Sequence, residues 1–303
     1  MSLSSELGLA SGLLENLARE APSRYKAVML PRQGRAPRRI DAPDEELKGV
    51  QKRILRRLLV RLGVSPQAHG FVRGRSAVSA AGVHAGRELL VTFDIREFFP
   101  SVTSGAVEAV AGELGLDRRD CRLLVALVTL RGRLPQGAPT SPKLANLAFR
   151  RCDARLAGLA ASLGLSYSRY ADDLAFSGGR TCLRIEASVR KVLQEHGFRL
   201  ADEKKRVMSK SDRQEFCGLV VNGGVKLPRE RRRRLRAILH DLAENGPEAA
   251  ARGRGEVFIE WLCGHLAYMA AVDGNEAARL VKRMEEALTG EADTEPRRPA
   301  KNS

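Results

Sequence analysis

The sequence is short of the features that mark disulfide-linked and zinc-binding proteins. Only five of its 303 residues are cysteines, and they are scattered without a C-x-x-C pair. This pattern argues against both a disulfide framework and a structural zinc site, so we expect buried free thiols. The five histidines show no metal-ligand spacing either, which argues against a histidine-based transition-metal centre.

Long apolar runs and a leader sequence are missing as well. No stretch approaches the ~20 apolar residues that a membrane-spanning helix needs, so no membrane partner is expected. Residues 1–20 lack the basic segment, apolar stretch and small-residue cleavage site of a secretory signal. With 43% hydrophobic and 29% charged residues, the chain is expected to be a globular protein of the cytoplasm.

Positive charge, in contrast, is abundant. Lysine and arginine number 52 against 36 aspartate and glutamate residues, which gives a net charge of +16. Such an excess suits a polyanionic partner, whose binding would be steeply salt-dependent because counterions are released from the phosphates. A bias of the whole proteome toward arginine is the alternative explanation.

Two adjacent carboxylates interrupt an apolar and aromatic stretch, SYSRYADDLAFSGG, that reads as two short strands. Asp172 and Asp173 lie at the predicted turn, and Asp94 ends another strand-like run, Leu89 to Phe93. Like charges at such positions repel unless a positive group lies between them. If the strands are neighbours in one antiparallel sheet, a pair of divalent cations would neutralise the three carboxylates. Ordinary turn chemistry of aspartate is the alternative.

The rest of the chain is predicted to consist mainly of helices and short strands. The predicted elements are a hairpin or loop at 31–43, an amphipathic helix within 44–64, a helix beginning near Ser141, a helix at 183–196, short strands within 197–222, a basic helix at 228–242, one further helical stretch at 256–288 and a disordered tail.

Several stretches resemble the motifs of reverse transcriptases of the group II intron and retron type. FDIREFFPS is similar to the first catalytic motif, QGAPTSPKLANLAF to the second and YADD to the third, in that order. GFRLADEKKRV resembles the fourth motif, QEFCGLVVN the primer-contacting fifth, and PRQGRAPRRIDAP with AHGFVRGRSAV the fingers motifs. The resemblance covers residues from about 25 to about 285.

The resemblance implies an α+β right-hand polymerase with fingers, an antiparallel-sheet palm and a helical thumb. The implied divisions are 1–24 as an N-terminal helical extension, 25–85 as the first part of the fingers, 86–214 as the palm with inserted fingers elements, 215–289 as the primer grip and thumb, and 290–303 as a disordered tail.

The resemblance also implies roles for individual residues. Asp94, Asp172, Asp173 and the main-chain carbonyl of Ile95 would hold two Mg²⁺ ions, and Lys204, with Lys205 as the alternative, would protonate the pyrophosphate. The implied dNTP-binding residues are Arg32, Arg38, Phe99, Gln136 and Gly137, with Phe99 rejecting a 2′-hydroxyl. The implied primer and template contacts are Phe216, Cys217, Gly218, Arg231, Arg232 and Arg234.

Among these enzymes, the chain looks most like the retron type. AAGVHAG, which contains His84, resembles a retron-specific segment that would recognise RNA. The implied reaction copies a structured non-coding RNA, primed by an internal guanosine 2′-hydroxyl, into RNA-linked single-stranded DNA. Such bacterial systems serve in defence against phage, usually with a separate effector protein. The alternatives are another stand-alone or CRISPR-associated reverse transcriptase, or an inactive RNA-binding protein.

Overall fold

The structure, a computed structural model, describes residues 2–32 and 34–289. Its helices are α1 Leu3–Leu7, α2 Ser11–Glu20, α3 Glu45–Arg57, α4 Ala77–Gly82, α5 Phe98–Ser101, α6 Ser104–Gly112, α7 Arg118–Val128, α8 Ser141–Ala148, α9 Arg150–Ser162, α10 Glu186–Glu195, α11 Arg229–Ala251, α12 Phe258–Ala270 and α13 Gly274–Thr289. Its strands are β1 Tyr25–Arg32, β2 Arg35–Pro43, β3 Leu89–Asp94, β4 Ser166–Tyr170, β5 Asp173–Gly178, β6 Arg206–Ser209, β7 Glu215–Phe216 and β8 Leu219–Val220.

A four-stranded antiparallel sheet in the order β4-β5-β3-β6 separates two hydrophobic cores. Because side chains alternate along a strand, Leu89, Val91 and Phe93 enter one core while Leu90 enters the other. The first core is built from residues between 3 and 200, and the second mainly from the chain beyond β6. Asp94 lies four residues after Leu90 on the same strand, so its side chain is on the face of the sheet that packs against the second core.

Several predicted elements are confirmed. The 31–43 segment is part of the β1–β2 hairpin, and the YADD segment joins β4 to β5. Helix α3 begins after Asp44, whose carboxylate accepts a hydrogen bond from the Leu47 amide at 2.9 Å. Helix α8 begins at Ser141 with a proline in its first turn, where the missing amide hydrogen has no intrahelical partner to lose.

The predictions for the C-terminal half need three corrections. Residues 256–288 form two main helices rather than one, because Asp273 caps a new helix by accepting a hydrogen bond from the Glu276 amide at 3.0 Å. The predicted strand around residue 204 is a short 3-10 turn that precedes β6. The basic helix continues to Ala251 across a break at Gly246, where φ is +77°. The predicted disordered tail lies outside the described residues.

No helix in the described part of the chain combines the length and the apolar character needed to cross a membrane.

Candidate active site

The turn between β4 and β5 has an uncommon backbone conformation. Tyr170 pairs with Asp173, which leaves Ala171 and Asp172 as a two-residue loop. Ala171 has φ of +56°, a left-handed conformation that costs a non-glycine residue about 1–3 kcal/mol and persists only where the surroundings enforce it. The turn places Asp172 at its tip and Asp173 at the start of β5.

The neighbouring strand brings a third carboxylate to the same edge. Asp94, the last residue of β3, pairs directly with Asp173 of β5. The amide of Ile95 donates to the main-chain oxygen of Asp172 at 2.9 Å, which ties the end of β3 to the turn. The sequence-based expectation that these strands are neighbours is therefore confirmed.

Electrostatic repulsion between these carboxylates is only partly compensated. Burial, and then the charges of Asp172 and Asp94, raise the pKa of Asp173 to about 7. Burial also raises the pKa of Asp94, although Lys204 Nζ, 2.7 Å from Asp94 Oδ1, opposes that shift. The oxygen donors and the excess negative charge suit a hard divalent cation. In residues 2–32 and 34–289, however, no three aspartate, glutamate, histidine or cysteine side chains converge to hold an ion.

A cleft of about 640 Å³ opens between the β1–β2 hairpin and the end of the sheet. Its volume is that of a typical small-molecule site. The cleft brings together seven of the residues singled out in the sequence, namely Arg32, Arg38, Ile95, Phe99, Gln136, Asp172 and Lys204.

Aromatic rings support Phe99 at the floor of the cleft. Phe99 is half-buried, and its ring centroid lies 5.6 Å from that of buried Phe98 and 6.0 Å from that of exposed Phe71. Phe98 and Phe99 therefore give one part of the cleft an aromatic lining.

Gly137 packs the loop before α8 against the β1–β2 hairpin. A Cβ at this position would lie 2.7 Å from the main-chain oxygen of Asp41 and 2.8 Å from Ile40 Cγ2. The preceding residue, Gln136, accepts a hydrogen bond from the Asp41 amide at 2.8 Å. The protein's own packing against β2 thus requires glycine here, and a contact between Gly137 and a nucleotide stays a prediction.

The turn between β7 and β8 lies beside the carboxylates. Cys217 and Gly218 form a two-residue loop with φ of +52° and +72°, a combination typical of tight hairpins. Burial, followed by the charges of Asp173 and Asp172, raises the pKa of the Cys217 thiol. The ring of Phe216 is buried, so any primer contact at this turn falls to the main chain and to its other residues.

The surroundings of His84 do not favour a direct contact with RNA, and its predicted role in RNA recognition stays a prediction. The ring is fully buried, and its two nitrogens form hydrogen bonds of 2.7 Å with Ser177 Oγ and 2.8 Å with Ser168 Oγ. Phe216 packs edge-on against it at 5.4 Å. Burial lowers the pKa of His84 to about 3, so the ring is a neutral link between β4 and β5 and does not reach the surface.

The arginines near the start of α11 differ in their surroundings. Arg231 and Arg234 are exposed and line a cavity of about 120 Å³ together with Trp261. Arg232 is half-buried and directs its guanidinium toward Glu276 of α13, at 3.4 Å. The prediction that Arg232 contacts nucleic acid is therefore not favoured by its conformation.

Comparison with known proteins agrees with this geometry. Residues 30–221 match the family described as reverse transcriptase (RNA-dependent DNA polymerase). The chain belongs to the reverse transcriptase family.

Similarity to curated reverse transcriptases extends over most of the chain. The retron Mx65 reverse transcriptase of Myxococcus xanthus is 38% identical over 91% of this chain and 69% of its own length. The retron Ec86 reverse transcriptase of Escherichia coli is 31% identical over 86% of this chain and 80% of its own length. The retron Mx162 reverse transcriptase of Myxococcus xanthus is 34% identical over 84% of this chain, which spans 59% of that enzyme. The predicted retron type of RNA-directed DNA polymerase is thus confirmed at the level of family.

A solved structure supports the fold alone. Apo telomerase from Candida tropicalis, truncated from its C-terminal domain, superposes with a TM-score of 0.51 at 13% identity. The superposition covers 74% of this chain and 60% of the telomerase chain. The predicted right-hand polymerase fold is confirmed.

The sequence analysis of this reverse transcriptase did not identify a group of buried polar residues behind the YADD turn. Arg169, Asp153 and Asn146 are all fully buried and connected by hydrogen bonds. The available signal was Arg169 itself, which is the one charged residue of the strand Ser166–Tyr170, where a buried and unpaired charge would be costly.

Proposed function

We propose that this protein copies a structured non-coding RNA into single-stranded DNA that stays linked to the RNA. The proposal is carried by the cross-strand pair of Asp94 and Asp173, which lies with Asp172 beside a basic cleft. Carboxylates that face each other can bind divalent cations, and those cations can in turn bind the phosphates of a substrate. The proposed substrates are dNTPs and the RNA template and primer.

Two Mg²⁺ ions are the proposed cofactors, held by Asp94, Asp172, Asp173 and the carbonyl of Ile95. The donor set consists of oxygen atoms, as Mg²⁺ prefers. Burial, and then repulsion from Asp172 and Asp94, raises the pKa of Asp173, and a dication would offset both effects. When bound, the ions would stabilise the attacking and leaving oxygens of an in-line displacement at phosphorus.

The cleft residues have distinct proposed roles toward the nucleotide. Arg32 and Arg38 hold the triphosphate, because guanidinium groups form paired hydrogen bonds with phosphate oxygens. Phe99 lies beneath the sugar, where its supported ring leaves no room for a 2′-hydroxyl. Gln136 and Gly137 contact the nucleotide from the loop before α8.

Lys204 is the proposed general acid for the pyrophosphate leaving group. Its side chain faces the cleft, and its ammonium lies 2.7 Å from Asp94. The adjacent Lys205 pairs with Glu186 instead, at 2.5 Å, which favours Lys204 over Lys205.

The proposed primer and product contacts lie on the turn between β7 and β8 and on α11. Cys217 and Gly218 present their main chain to the primer strand, and Arg231 and Arg234 bind phosphates. We assign residues 1–24 to an N-terminal extension, 25–85 to the fingers, 86–214 to the palm with inserted fingers elements, and 215–289 to the primer grip and thumb.

The wider role proposed is that of a bacterial retron in the cytoplasm. An internal guanosine 2′-hydroxyl of the RNA would prime synthesis, and a separate effector protein would act with the product in defence against phage. This proposal follows the similarity to retron enzymes over most of the chain.

The test is primer extension on poly(rA)/oligo(dT) with labelled dTTP and Mg²⁺, followed by the RNA encoded upstream without added primer. The Asp172→Asn plus Asp173→Asn variant should abolish incorporation. Glu108→Gln plus Glu285→Gln, which removes two exposed carboxylates from helices, should leave it unchanged. Incorporation by a folded double Asp variant would contradict the site. No incorporation by the wild type on either template would contradict the function.

A further inference from the structure

A fully buried ion pair lies behind the YADD turn. Arg169 of β4 donates from Nε and Nη2 to the two carboxylate oxygens of Asp153 in α9, at 2.9 and 2.7 Å. Neither side chain is exposed to solvent. Burial alone would lower the pKa of Arg169, but Asp153 outweighs that effect and the pKa is raised. Because desolvation offsets much of the attraction within such pairs, stability alone does not explain its presence.

The remaining hydrogen bonds of Arg169 lead to the active site. Its Nη1 donates at 2.9 Å to the main-chain oxygen of Ala171, the left-handed residue of the turn, and at 2.9 Å to Asn146 Oδ1 in α8. Asn146 in turn donates to the main-chain oxygen of Gly70 at 2.9 Å. Gly70 packs so closely on the turn that a Cβ there would lie 2.5 Å from the Ala171 nitrogen.

The same guanidinium also contacts the support of the cleft floor. Its central carbon lies 4.6 Å from the ring centroid of Phe149 and 5.6 Å from that of Phe98, which is within the range of cation–π attraction. Phe98 precedes Phe99 and packs against it. One side chain therefore contacts both the turn that carries Asp172 and Phe98, which packs against the ring proposed to select the sugar.

We propose that Arg169 is a positioning residue that holds the YADD turn and the Phe98–Phe99 pair at a fixed separation. It thereby sets both the rate of nucleotide addition and the preference for deoxyribonucleotides. The inference rests on the proposed function of Asp172 and Phe99. Lysine cannot replace this arginine, because one ammonium nitrogen cannot reach Asp153, Asn146 and Ala171 with the geometry of a planar fork.

The test compares the wild type with Arg169→Lys in single-nucleotide addition to poly(rA)/oligo(dT). The matched control is Arg150→Lys, because Arg150 pairs with both oxygens of Glu113 near the surface, at 2.5 and 2.6 Å, and also donates to the main-chain oxygen of Gly63 at 3.2 Å. Titration of active sites gives the fraction of competent enzyme, and rates are measured separately with dTTP and with UTP.

Arg169→Lys should slow dTTP addition per active molecule by about 100-fold, as displacement of a reacting group by about 1 Å does. The preference for dTTP over UTP should fall by about tenfold or more. The control should match the wild type in both quantities. A second variant, Asn146→Ala, removes one partner of Arg169 and should change both quantities in the same direction by less.

A purely structural role predicts a different result. If only the fraction of active enzyme falls in Arg169→Lys, while the rate per active molecule and the dTTP preference stay unchanged, the inference is wrong. If Arg169→Lys does not fold, Asn146→Ala decides the matter. An unchanged rate per active molecule and an unchanged dTTP preference in Asn146→Ala would also show that the inference is wrong. A wild type that adds no nucleotide would overturn the proposed function, and this inference with it.

Discussion

Acidification should destabilise the protein through His84 by an amount that follows from its burial. Burial is the main cause that lowers its pKa to about 3 from an ordinary 6.5, and the nearby charges of His69 and Arg87 add to the shift. Because the folded pKa is lowered, the unfolded chain takes up the proton first. Stability from this group is therefore complete above pH 6.5 and is lost as the pH falls toward 3.

The expected loss at pH 5, relative to pH 7.5, is about 2 kcal/mol from His84 alone, at about 1.4 kcal/mol for each pH unit below 6.5. The measurement is the free energy of urea unfolding at pH 7.5, 6 and 5 for the wild type and for His84→Gln. Subtracting the free energy of unfolding of His84→Gln from that of the wild type at each pH cancels the contributions from carboxylates and from the other histidines. His84→Gln should be less stable at pH 7.5, and its deficit should shrink by about 2 kcal/mol at pH 5.

The control is His240→Gln, since His240 is exposed on α11. That variant should lose stability in parallel with the wild type. If His84→Gln also loses stability in parallel between pH 7.5 and 5, the reasoning from burial is refuted.

Three further predictions concern the active site. Gly70→Ala should lower the free energy of unfolding, measured in urea, by about 1–3 kcal/mol and should slow primer extension, because a Cβ would lie 2.5 Å from the Ala171 nitrogen. If both the free energy of unfolding and the rate stay at their wild-type values, Gly70 does not pack against the turn as described. Phe99→Ala should raise incorporation of ribonucleotides relative to deoxyribonucleotides by about 10- to 100-fold. An unchanged ratio would show that Phe99 does not select the sugar. Lys204→Gln should slow single-nucleotide addition by about 100-fold with little change in KM for dTTP; a rise in KM alone would instead indicate a role in binding.

The site was predictable from sequence where local pattern determines structure. The sequence predicts the YADD hairpin because two strand-like segments flank residues that are suited to a turn. It also predicts that Asp94 lies at the end of a strand. Pairing of Asp94 with Asp173 required only that the two strands be neighbours. The fold class followed from the order of the motifs.

Other features depend on contacts between distant segments, which local pattern does not encode. From the sequence, His84 is a candidate for RNA recognition, but in the structure it is buried and forms hydrogen bonds with Ser168 and Ser177, more than 80 residues away. The side-chain partners of Arg169 lie in α8 and α9, so the strand shows that a charge must be paired but does not identify its partners. The break between α12 and α13 was missed because one capping residue, Asp273, starts a new helix.

The close packing of Gly137 on β2 has a consequence for motion. The Gln136 carbonyl accepts a hydrogen bond from the Asp41 amide, and no space remains for a Cβ on Gly137 beside Ile40 and Asp41. We therefore expect the β1–β2 hairpin and the loop before α8 to move together. Any swing of the hairpin toward a substrate must carry that loop with it. The arginines on the hairpin and Gln136 on the loop would then reach the substrate at the same time rather than one after the other.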